Sequence, residues 1–154
     1  MKLLKILIRE MINDKNGFSN WKMPSTDKLK LEYKIEDVMK GNHFFDSEDN
    51  FLSAVQQAEI ITVSSSEDAN IGYRSGTGSK EELLSLIRGY RSYPEFRNEK
   101  TIEAIYDGFK NNSPMDYPIV VQFKSGKRRV FSGNTRMDIA FQLGIDPKVL
   151  LVKI

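Results

Sequence analysis

The chain has 154 residues, with 23 Lys and Arg against 21 Asp and Glu, a formal charge of +2, one histidine and no cysteine. These counts exclude disulfides, cysteine-based metal sites and a histidine cluster, and so small a charge demands no polyanionic partner, although a local basic cluster can still bind one. Length and a 40% apolar content suit one compact domain, or one domain with a substantial extension.

Residues 1–12 place Leu4, Leu7, Ile8 and Met11 at helical spacing, interrupted by Lys2, Lys5, Arg9 and Glu10. The pattern reads as an amphipathic helix packed on the body, with a membrane-surface anchor as the alternative. With no cleavage site of small residues and no bilayer-length apolar run, a cytoplasmic protein without a membrane partner is expected. Residues 14–33, including the lone Trp21, give no clean period, and residues 35–40 ahead of Gly41 read as a brief helix. His43, beside Phe44 and Phe45, is read as a packed or capping residue rather than a ligand. Asp46 and Ser47 can cap a helix over residues 48–57 with Phe51, Leu52 and Val55 inward, and residues 60–63 are a candidate strand.

The serines at 64–66 and the stretch 70–79, with Gly72, Gly76 and Gly78, form a loop that suits a domain boundary or an active-site lid. Residues 1–75 are accordingly expected as a mostly helical extension and 76–154 as the ligand-binding domain. The run Gly76-Thr77-Gly78-Ser79-Lys80 lacks Walker spacing. Ser79 with Glu82 instead forms a capping box opening a helix through Leu83, Leu84, Ile87 and Tyr90. The run Arg88-Gly89-Tyr90-Arg91-Ser92-Tyr93 combines phosphate-neutralising arginines with tyrosines able to stack on bases. Arg88 and Arg91 equally suit a helix carboxyl end.

Residues 99–110 read as a helix, 119–123 as a strand, Ser125-Gly126 as a turn and 127–131 as the return strand. Lys127, Arg128 and Arg129 make that hairpin basic, with Lys124 beside them, so they join Arg88 and Arg91 as candidate nucleic-acid contacts. Next comes a helix through Met137, Ala140, Phe141 and Leu143, with Gly144 as its C′ residue and Pro147 forbidding continuation; residues 148–154 read as a buried final strand. Ser132-Gly133-Asn134-Thr135-Arg136 thus lies where a strand gives way to a helix. Free first-turn amides carry partial positive charge there, Gly133 lets an anion approach the main chain, Asn134 or Thr135 can cap or hydrogen-bond, and Arg136 offers a bidentate fork. The same residues also serve as an ordinary helix start with Arg136 in solvent.

Pro94-Glu95-Phe96-Arg97, the helix at 99–110, Pro118-Ile119-Val120-Val121, Gly133-Asn134-Thr135-Arg136 and the helix ending in Leu143-Gly144-Ile145 follow one another in an order that resembles the ParB/sulfiredoxin-like superfamily. The resemblance covers residues 93–154. It implies an α+β fold, a small mixed β-sheet with packed helices, and nucleoside triphosphate bound by Gly133, Asn134, Thr135 and Arg136 with Arg97 approaching from the other side. Glu95 would be the catalytic carboxylate or would orient Mg2+; Glu99 and Asp138 are weaker candidates, since a solvated carboxylate is the ordinary reading of each. Sulfiredoxin chemistry is excluded because its cysteine is missing; Thr135 stands in that place without an adjacent base.

The expected function is ATP- or CTP-type nucleotide binding with phosphoryl transfer or hydrolysis. The alternatives are a ParB-like DNA-binding or nuclease module and a non-catalytic interaction protein. No helix-turn-helix follows residue 154, which argues against partition in its usual form. Short, lysine-rich chains of this kind are similar to phage and mobile-element proteins. Base identity, phosphate acceptor and oligomeric state stay open.

Overall fold

The computed structural model describes residues 18–64 and 99–154, of which Glu99 and Lys100 are described in backbone only. The expectations for residues 1–17 and 65–98, including the capping box at Ser79, the run from Arg88 and the residues Glu95 and Arg97, lie outside the described residues.

The described chain forms β1 (Trp21–Lys22), α1 (Thr26–Glu32), a π-helical continuation (Tyr33–Met39), α2 (Glu48–Gln56), β2 (Glu59–Thr62), α3 (Glu99–Lys110), β3 (Met115–Asp116), β4 (Ile119–Gln122), β5 (Arg128–Ser132), α4 (Asn134–Gln142) and β6 (Lys148–Lys153). The class is mixed α+β. Four strands form one sheet in the order β2-β6-β4-β5, in which β4 and β6 are parallel and the other pairs antiparallel. Parallel pairing needs a crossover, and α4 supplies it between β5 and β6. A second, two-stranded parallel pairing sets Trp21 opposite Met115 and Lys22 opposite Asp116.

The central strands are apolar on both faces because both faces are covered. Ile119, Val121, Phe131, Leu150 and Val152 pack with Leu29, Phe45, Phe51 and Val55 from α1, α2 and the segment between them. Val120, Val130, Val149 and Leu151 pack on Met137 and Phe141 of α4. Phe51, fully buried, lies with ring centroids 5.1 Å from Phe45 and 5.2 Å from Phe131. The third cluster joins α3 to α4 and β1 through Ile102, Phe109, Ile139, Phe18 and Trp21. Strand β2 and helix α2, which lie in the segment expected as an extension, therefore share one core with the carboxyl-terminal strands.

Local signals explain several boundaries. Ser47 accepts from the Asn50 amide at 3.1 Å and starts α2, while Ser25 accepts from the Lys28 amide and starts α1. Gly144, at φ 75°, ends α4 as expected of a C′ glycine. The helix begins much earlier than residue 35. It runs from Thr26 to Met39 without a break, and its second half closes i to i+5, as in the Lys40 amide donating to the Ile35 carbonyl. The first half was not legible as a helix because it buries only Leu29 and leaves Lys28, Lys30 and Leu31 exposed, so no apolar stripe marks it.

Candidate functional site

Helix α4 starts from Gly133 in the left-handed region, at φ 97°, and no side chain caps it. Its first helical bond is the Met137 amide to the Gly133 carbonyl, so the Asn134, Thr135 and Arg136 amides have no partner within the helix. Glycine is required here twice over. A Cβ would find φ strained, and it would stand 2.7 Å from Pro118 Cβ and 2.9 Å from Pro118 Cα. Pro118 cannot withdraw, because its carbonyl accepts from the Leu150 amide in β6.

Asn134 is exposed and opens onto a cleft of about 240 Å³ lined by Arg129, Glu36, Lys40 and Asn42 and floored by Val130 and Phe131. Lys40 Nζ donates to Glu36 at 2.7 Å, and the Asn42 amide group donates to the Glu36 carbonyl at 2.7 Å. Arg129 lies 5.7 Å from the Phe44 ring centroid, a cation–π contact that holds its stem at the rim. Beneath this corner the buried Asp37 carboxylate accepts from the Phe44 amide at 2.6 Å and the Phe45 amide at 3.1 Å. The cleft thus has a polarised helix end on one wall and two basic side chains above it, one of them neutralised locally by Glu36.

Arg136 turns the other way. Its Nη2 lies 2.9 Å from the position that a Cβ on Gly133 would take, so the guanidinium folds back across the start of its own helix. Nε and Nη2 are buried and have no hydrogen-bond partner among the described residues, nor do Glu32 Oε2 and Asp116 Oδ1. Burial lowers the Arg136 pKa, opposed by the charges of Glu32 and then Asp116. Burial likewise raises the Glu32 carboxyl above its ordinary value, opposed by the Ser132 hydroxyl and Arg136 and assisted by Asp116 and Glu36. Asp116 is held separately, by Lys28 at 2.7 Å and Lys22 at 3.8 Å.

Of the expected phosphate loop, the structure brings Asn134 to the cleft, which neither Gly133 nor Thr135 lines, and turns the Arg136 side chain toward two carboxylates. Thr135 is half-buried. On the hairpin, Lys127 is exposed, Arg128 Nε donates to Gln122 at 2.9 Å and Arg129 reaches the cleft. Glu95, Arg97, Arg88 and Arg91 lie outside the described residues. Asp138 differs from the expectation of a solvated carboxylate: it is buried, because Met137 to Gln142 are covered on every side. Among the described residues no group of three or more His, Cys, Asp or Glu converges to hold a metal, and no helix is long and apolar enough to cross a membrane.

Glu32, Glu36, Lys40, Asn42 and Asp116 were not singled out from sequence. The signal was the four-residue spacing of Lys28, Glu32, Glu36 and Lys40, which places Lys28 on Asp116, Glu32 by Arg136 and the last two in the cleft. A second groove, of about 560 Å³, runs along α3 past Ile105, Gly108, Pro114 and Met115 and contains none of the expected site residues. Comparison with protein-family models, curated proteins and solved structures returned no match.

Proposed function

We propose that the protein binds the phosphates of a nucleotide at the amino end of α4, and that this site belongs to a ParB/sulfiredoxin-like fold. The observation that carries the reading is the uncapped helix start at Gly133, opening directly onto the polar cleft beside Arg129. Helix-terminal amides and an arginine fork are a complementary pair for phosphate. Any magnesium would arrive with the phosphates. Phosphoryl transfer or hydrolysis is the reaction proposed for the bound nucleotide.

Titration calorimetry with ATP, ADP, CTP and GTP, with and without magnesium, tests the reading. Saturable binding that is weakened in Arg129→Ala and Asn134→Asp supports it. Binding to DNA that falls steeply with salt and needs no nucleotide would instead favour a nucleic-acid module. Binding of neither leaves an interaction protein.

A further inference from the structure

The groove along α3 is built on one face of that helix, where Thr101, Ala104, Ile105 and Gly108 recur at helical spacing and Met115 closes the far end. Its side chains are small. Ala104 is exposed, and a Cβ on Gly108 would meet the Met115 methyl group, so the glycine lets Met115 lie across the helix. The chain itself arrives at this groove. Phe18 packs edge-on against Phe109 with ring centroids 5.1 Å apart. The Asn20 side-chain amide donates to the Asn112 carbonyl at 2.8 Å, and the Asn20 carbonyl accepts from the Met115 amide at 3.0 Å. Residues 18–20 are thereby fixed at the carboxyl end of α3. Immediately before them, Asn13-Asp14-Lys15-Asn16-Gly17 is rich in turn formers and has the length of an ordinary helix–helix connection. Upstream again, Leu3, Leu4, Leu7, Ile8, Met11 and Ile12 make a broad apolar arc at helical period, with Lys2, Lys5 and Arg9 together on one flank.

We propose that residues 3–12 of this chain dock as a helix along the α3 groove, parallel to α3, seating Leu4, Ile8 and Met11 over Ala104 and Gly108. Small residues permit close approach, and charge chooses the direction. With 3.6 residues per turn, Asp107 and Ile105 fall on opposite edges of the groove. A parallel partner brings Lys5 and Arg9 alongside Asp107, and Leu3 and Leu7 alongside Ile105. An antiparallel partner exchanges these flanks and sets the basic one against apolar Ile105. The parallel arrangement also leaves residue 12 at the end of α3 where Phe18 is anchored, so the short connection suffices. The groove is then filled by this chain and closed to a ligand or a second protein.

The chain has no cysteine, so pairs introduced into the full-length protein report proximity without background. Leu4→Cys or Ile8→Cys, each combined with Ala104→Cys, should be joined within one chain by a short bismaleimide. Both should react on the order of tenfold faster than Ile6→Cys with Ala104→Cys, whose first thiol lies on the face turned away, because effective concentration follows geometry. A second measurement needs no cysteine. Ala104→Glu sets an unpaired charge beneath the apolar arc and should speed amide hydrogen exchange in residues 3–12 on the order of tenfold. Glu103→Gln, exposed on the outer side of α3, should leave that exchange unchanged. Equal crosslinking at positions 4, 6 and 8, or exchange that Ala104→Glu does not alter, overturns the proposal. Crosslinks between two chains overturn it in favour of a second copy. Faster joining of Leu84→Cys to Ala104→Cys overturns it in favour of the segment after residue 64.

Discussion

The Arg136 guanidinium lies across Gly133, with Nη2 2.9 Å from the place a Cβ would take, and Pro118 closes the other side at 2.7 Å. One glycine thus sets both the direction of Arg136 and the approach to the α4 amides. Gly133→Ala should cost about 2 kcal/mol or more, from left-handed backbone strain and collision with a fixed proline. Urea denaturation of the variant measures that loss. A variant as stable as wild type would show that the turn relaxes freely.

Asn134→Asp separates stability from binding. A carboxylate at the first position of α4 interacts favourably with the helix dipole and should stabilise the protein by about 0.3–1 kcal/mol. The same charge repels phosphate, so nucleotide affinity should fall by about tenfold. Paired thermal melts and calorimetry read both effects. Parallel gains in stability and affinity would remove the phosphate from this helix end.

Glu32 gives stability a pH dependence of definite sign. Its folded-state pKa is raised above 4.5, chiefly by burial, so over the window just above that value the folded protein holds more protons than the unfolded chain. Stability from this group is complete below its unfolded pKa and is lost as pH rises through the folded value. Wild type should therefore lose stability relative to Glu32→Gln as the pH is raised from about 4 toward 8. Urea midpoints of the two proteins across that range measure it, and parallel curves would place Glu32 in water.

Much of the sheet and of its connections was legible because it depends on neighbours in sequence. Ser47 announces α2, Gly126 the hairpin turn, Gly133 and Gly144 the two ends of α4, and the apolar run from Val149 to Val152 a covered strand. The start of α1 was missed because this short helix buries only Leu29 and so presents no apolar stripe. Arg136 was expected to face ligand. Its neighbours Glu32 and Asp116 come from distant parts of the chain, and no local pattern reports which way a long side chain will turn once tertiary contacts form. The burial of Asp138 was hidden for a similar reason: α3 and the sheet cover α4 from different sides, and only the assembled layers reveal it.

Asp37 supports the cleft from below. Fully buried, it accepts two backbone amides, from Phe44 and Phe45, at the corner where the chain leaves the π-helical segment and passes Lys40 and Asn42. Hydrogen bonds to a charged acceptor are worth about 1.5–3 kcal/mol each, and two amides would be stranded by its removal. Asp37→Ala should therefore destabilise by about 3 kcal/mol or more, while Asp37→Asn, which keeps one acceptor oxygen, should recover part of that. Because Phe44 carries Arg129 on its ring, loosening this corner should also weaken nucleotide binding in the fraction that stays folded. Denaturation and calorimetry on the Asn variant test the connection: a large loss of stability with unaltered affinity would show that the corner serves the core alone.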